Sequence, residues 1–165
     1  MKLIETYRHS APGYDPTFIS DGWQAAFLNY APAEALESIV KLDIHHLPDE
    51  VFVLLEGHAV LIAATIDGGT VQYDLADMVP GVIYNIPRET WHKIAMQEGS
   101  RVCIVEKSGT HVSDFEFYDL SARQQMQLQE AVRNLLLSDN GKWILYGPFD
   151  GPCSRLFLGC VLDTF

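Results

Sequence analysis

The sequence is short of positive charge. Eleven lysines and arginines stand against 22 aspartates and glutamates in 165 residues, a net charge of −11 with histidine neutral. Such a chain repels a phosphate backbone, and no basic cluster offsets the deficit locally, so nucleic acid is not an expected partner. Cysteine is scarce as well. Cys103, Cys153 and Cys160 form no CxxC pair and cannot all pair with one another, which suits a reducing compartment and small buried side chains. No apolar run is long enough to span a bilayer, and "MKLIETYRHSAPGYD" has no long apolar segment, so neither a membrane span nor a secretory signal is expected. The cytoplasm is the expected compartment.

What is present fits one globular domain over 1–165. Hydrophobic residues make up 48% and charged residues 20%, enough apolar material for a single sizeable core, with no repeat, low-complexity tract or linker. Up to about residue 118 the pattern is that of short strands between turns. "WQAAFLNY" (23–30) reads as a strand, and so does "SIVKLDIH" (38–45), with Val40, Leu42 and Ile44 on one face and Ile39, Lys41, Asp43 and His45 on the other. "EVFVLL" (50–55) and "HAVLIAATI" (58–66) flank Gly57, and "DGG" (67–69) marks a hairpin into "TVQYDL". "GVIYNI" (81–86), "WHKIAM" (91–96) and "RVCIVEK" (101–107) follow, separated by Pro87 and by "EGS".

Many short strands with Gly and Pro at the turns indicate a sandwich or barrel. A helix is expected over 121–138, capped by Ser121 with Gln124 in capping-box spacing, striped by Leu128, Ala131, Val132, Leu135 and Leu136, and stopped by Gly141. The helix and the tail form the segment 119–165. The aromatic, apolar end of the tail is expected to pack on the barrel or to build a homodimer interface.

Two spaced groups of residues resemble the motifs of the cupin superfamily. The first family motif is Gly, five residues, His-x-His, three or four residues, Glu, six residues, Gly. Here His45, Glu50 and Gly57 keep that spacing, while Asp43 stands for the first histidine and Glu37 for the leading glycine. The second is Gly, five residues, Pro-x-Gly, two residues, His, three residues, Asn. Gly81, Pro87 and His92 fit it, and Glu89 and Met96 replace the inner glycine and the asparagine. The resemblance covers 38–107 and implies a mainly β, cupin-type double-stranded β-helix (jelly-roll barrel), followed here by the C-terminal helix. It is closest to uncharacterised small cupins and lends no substrate.

That resemblance implies a ligand set inside the barrel. Asp43 and His45 share a strand face, so both can reach one ion, whereas His45 and His46 cannot both point inward from a regular strand. His45, Glu50 and His92 would be the ligands, with Asp43 or His46 supplementary, and two histidines with a carboxylate suit Fe, Mn, Ni or Zn. His92 and Glu50 are the candidate catalytic residues. His92 or His45, tuned by Glu50 or Glu106, would have a pKa fit for a general base without any metal. Tyr84, Arg101 and Trp91 are the candidate substrate contacts, Arg101 because its fork can hold a carboxylate or phosphate. His111 reads as a loop histidine, and His9 and His58 as surface or strand residues. The implied function is binding of a divalent metal and a small polar metabolite, with isomerase, oxygenase or lyase chemistry open. A metal-free binding or sensing module, or a metal-independent isomerase or epimerase, is the alternative.

Overall fold

The computed structural model describes residues 3–138. Gly141, Cys153, Cys160 and the apolar tail lie outside the described residues. Ten strands form two antiparallel sheets: β1 (Gly13–Ile19), β2 (Gln24–Asn29), β3 (Lys41–Ile44), β4 (Glu50–Glu56), β5 (Ala59–Asp67), β6 (Thr70–Asp77), β7 (Ile83–Ile86), β8 (Trp91–Met96), β9 (Arg101–Glu106) and β10 (Glu116–Asp119). One sheet runs β1-β2-β9-β4-β7 and the other β10-β3-β8-β5-β6. Within the edge strands β1 and β10, the orders 2-9-4-7 and 3-8-5-6 are those of an eight-stranded jelly roll, whose chain crosses repeatedly between the two sheets.

Alternation along each strand decides what fills the barrel. Ala26 and Leu28 of β2, Phe52 and Leu54 of β4, Ile94 and Met96 of β8, and Val102 and Ile104 of β9 pack into the interior cluster. The opposite face of the β3-β8-β5 sheet is apolar too, because α2 (Ala122–Ser138) covers it: Leu42, Val60, Ile62 and Ala95 bury against Leu128 and Val132. Gln124 returns to Ser121 N at 2.8 Å, as its capping-box spacing demands.

Local structure departs from the sequence reading at several points. The strand expected over 38–45 shortens to β3, because Leu36–Ser38 is a 3-10 turn; Ile39 is buried and Val40 is 51% exposed, so the alternation starts only at Lys41. Two edge strands were not legible. β1 holds Pro16 and a register shift between Asp15 and Phe18, and β10 is four residues long after the single-turn α1 (Thr110–Ser113). Gly57 has φ of 78°, and a Cβ there would stand 2.6 Å from Ser100 Cα, so this motif glycine is required by a close backbone approach.

Candidate metal centre

His45, the residue that follows β3, meets Glu50 of β4 and His92 of β8 at one end of the barrel. Strand register sets this: Asp43 pairs with His92 across β3 and β8, and Glu50 opens β4 with its side chain buried. His92 Nε2 lies 2.8 Å from Glu50 Oε2, and His45 Nε2 lies 3.3 Å from the same oxygen. One ligand atom from each residue falls within 4.8 Å of the others, close enough for one ion. Phe52 sets its ring against His92, with centroids 6.1 Å apart, and closes the apolar side.

Backbone carbonyls orient both imidazoles. His45 Nδ1 donates to Asp114 O at 2.5 Å and His92 Nδ1 to Thr90 O at 3.0 Å. A carbonyl only accepts, so each Nδ1 carries the proton and each Nε2 is turned toward Glu50, the arrangement metal-binding histidines need. Without an ion, burial opposes charge on His45, but hydrogen bonds to Glu50 and the Asp114 carbonyl outweigh it and lift its pKa to about 9. Burial likewise opposes charge on Glu50, and bonds from His45 and His92 hold it down at about 2. The donor set therefore fits a divalent cation: a carboxylate already ionised and two nitrogens aimed at it.

The cavity around this cluster has a volume of ≈ 200 Å³, floored by Leu28, Phe52, Ile94 and Ile104. Its wall also holds Tyr14, Glu34, Lys93 and His111, which the sequence reading did not assign to a site, beside Glu106, which it gave as a tuning carboxylate. Tyr14 and Gln24 hydrogen-bond Glu106, and His111 joins through Gln24 at 2.8 Å. Burial, countered in part by the Tyr14 bond, raises the Glu106 pKa. On the other side Lys93 Nζ meets Asp43 Oδ2 at 2.9 Å and Glu34 Oε2 at 4.0 Å. Burial opposes charge on Lys93, yet the two carboxylates outweigh it and raise its pKa, so it is a part-buried cation.

The other expected site residues are placed elsewhere. Asp43 lines the cavity but is held by Lys93 and is not part of the three-residue cluster. His46 faces outward to Glu89 at 3.0 Å and Glu116 at 3.5 Å, as the alternation against His45 requires. Glu89, standing for the motif glycine, adopts φ of 64°; its N–H bonds His45 O at 2.8 Å, which helps hold it in that conformation. Trp91 points to the opposite face of β8 from His92 and packs on Tyr118 under α2. Tyr84 packs against the interior cluster and its hydroxyl accepts from Val79 N. Arg101 lines a separate open groove and pairs with Glu56 at 3.6 Å. Nothing in their own spacing separates these three from cavity residues, because strand direction and sheet order decide which end of the barrel a residue reaches.

No family model matches the sequence, and no curated protein matches it. Similar solved structures include KdgF from Halomonas sp., 15% identical, covering 62% of this chain and 87% of that one at a TM-score of 0.41. A cupin superfamily protein from Desulfitobacterium hafniense is 23% identical over 64% of this chain and 83% of its own, at 0.41. A Streptomyces PAC13 variant with uridine is 9% identical, covering 77% and 97%, at 0.49. The 2-9-4-7 and 3-8-5-6 strand orders fix the architecture independently. The fold is a jelly roll, the architecture that the motif resemblance implies. At these identities and scores the likeness carries nothing about activity. Among the described residues no helix is long and apolar enough to cross a membrane.

Proposed function

We propose that this protein binds one divalent first-row metal ion, Fe, Mn, Ni or Zn, through His45, Glu50 and His92, and takes a small polar metabolite into the adjoining cavity. One observation carries the reading: both Nδ1 atoms are spent on backbone carbonyls, so both Nε2 atoms converge on a buried, ionised Glu50. Three protein ligands leave positions free for a bound molecule, and a metal held there supplies Lewis acidity. The chain's own groups exclude bulk water through Phe52, Ile94 and Ile104 and set the protonation of the site through Glu50. Isomerase, oxygenase and lyase chemistry all fit this arrangement.

A metal-free reading also has a specific support, since the Glu50 contacts to both histidines are complete without an ion and keep His45 protonated near neutral pH, a candidate proton donor beside an ionised Glu50. Metal analysis of tag-free protein purified without chelator separates the two. Near one equivalent of a first-row metal, lost in His92→Ala while the circular dichroism spectrum is kept, supports the metal centre. Less than about a tenth of an equivalent even after reloading moves the function to metal-free binding or acid–base chemistry.

A further inference from the structure

Glu106 faces the cavity and takes no part in the metal-ligand cluster. The register that pairs Gln24 with Glu106 and Val51 with Val105 sets Glu50 opposite Glu106, so three polar side chains from β2, β9 and β4 stand in one row on the barrel's inner face. One oxygen of Glu106 is clamped. Tyr14 Oη and Gln24 Nε2 both donate to Oε1, at 2.5 and 2.8 Å. Gln24 is fixed in turn, its carbonyl accepting from Gly109 N at 3.0 Å and its amide nitrogen lying 2.8 Å from His111 Nδ1. The other oxygen, Oε2, receives no hydrogen bond among the described residues.

A carboxylate only 5% exposed, with one oxygen locked by two donors and the other bare in a cavity, has unfilled accepting capacity where water is scarce. An apolar floor cannot fill it. A ligand resting against the His45–Glu50–His92 cluster can, if it brings a donor. At ≈ 200 Å³ the cavity has room for roughly half a dozen non-hydrogen atoms, taking about 30 Å³ for each.

We propose that Glu106 is the ligand-orienting carboxylate of this cavity, its Oε2 accepting a hydrogen bond from a hydroxyl beside the oxygen that the cluster binds, so that the site selects α-hydroxy acids and similar small hydroxylated ligands. The inference rests on the metal reading above. Tyr14 and Gln24 are positioning residues, holding Oε1 so that Oε2 faces the ligand. Asp43 also keeps a buried Oδ1 with no hydrogen-bond partner, but its carboxylate is already paired with the Lys93 cation through Oδ2, whereas Glu106 is held by neutral donors.

Glycolate and methoxyacetate test it with full-length protein loaded with Co(II). They share a charge and a pair of chelating oxygens and differ in the hydroxyl proton. Titrations followed in the visible spectrum of the bound Co(II) should show wild type binding glycolate roughly tenfold more tightly, the range of a hydrogen bond to a charged acceptor. The deciding variant is Glu106→Gln. Tyr14 and Gln24 claim its amide oxygen and leave an NH₂ group facing the ligand, so the preference should fall to about one while Co(II) affinity holds. Tyr14→Phe should give an intermediate ratio, and it carries the test if Glu106→Gln does not fold. An unchanged preference in the variants, or none in wild type, overturns the assignment of Glu106 and leaves the metal centre standing. Failure of wild type to take up Co(II) overturns both.

Discussion

Glu50 and Glu106 are the same residue type, opposite each other on neighbouring strands, and the barrel gives them opposite surroundings. Glu50 sits between two imidazoles whose far nitrogens are tied to carbonyls, so its charge is held and its pKa falls to about 2. Glu106 meets a phenol and an amide, neutral donors that hold one oxygen without cancelling its charge; burial dominates and its pKa rises. The pair shows that a buried carboxylate's role is set by the charge and direction of its neighbours more than by its depth.

Removing each carboxylate should break the comparison most sharply. Glu50→Ala leaves a charged His45 without its partner and should cost metal-free protein about 3–5 kcal/mol at pH 6, the range for stripping one member of a buried pair. Glu106→Ala strands only neutral donors and should cost about 1–3 kcal/mol. Urea denaturation reads both, and equal losses would show that His45 is not charged by Glu50.

Proton linkage comes next in size. The folded pKa of His45, about 9, lies above its ordinary 6.5, so its stabilisation is complete below pH 6.5 and is lost as pH rises through 9. Glu50, lowered to about 2 from 4.5, contributes above pH 4.5 and loses its contribution as pH falls through 2. The urea midpoint of metal-free protein should therefore be highest between pH 4.5 and 6.5 as far as these two groups set it. Metal uptake should run the other way and tighten by up to about tenfold per unit between pH 6 and 8, because the ion displaces the His45 proton. Isothermal titration in buffers of different ionisation enthalpy would detect the released proton, and its absence would sink the argument.

Two smaller effects sharpen the contrast. Tyr14→Phe removes one donor to Glu106 and should lower stability by about 1 kcal/mol with metal content unaltered. His46→Ala touches only exposed partners, Glu89 and Glu116, and should stay within about 0.5 kcal/mol with metal content intact. Loss of metal in His46→Ala would place the ligand set on the wrong side of β3.

The metal cluster was legible through its resemblance to the family motifs, whose spacing His45, Glu50 and His92 keep. His45 and Glu50 are five positions apart around one turn, and "WHKIAM" is β8 to the residue. The Glu106 network was not legible. Its partners Tyr14, Gln24 and His111 are brought together by the β1-β2-β9 edge, and β1 hides its strand character behind Pro16 and a bulge. Glu34 and Lys93 escaped for a similar reason, since a 3-10 turn supplies one and a neighbouring strand the other.

By itself the sequence determined that short alternating strands would build a sandwich or barrel and that a capped amphipathic helix would follow, while the ligand set of His45, Glu50 and His92 came from its resemblance to the family motifs. Periodicity and local capping are properties of neighbouring residues and survive in one dimension. Only the tertiary structure decided that Asp43 answers to Lys93, that Trp91 faces the helix, and that Glu106 stands opposite Glu50 with one oxygen free. Those outcomes depend on which strands pair and in what register, and a shift of one residue would turn every one of those side chains to the other face.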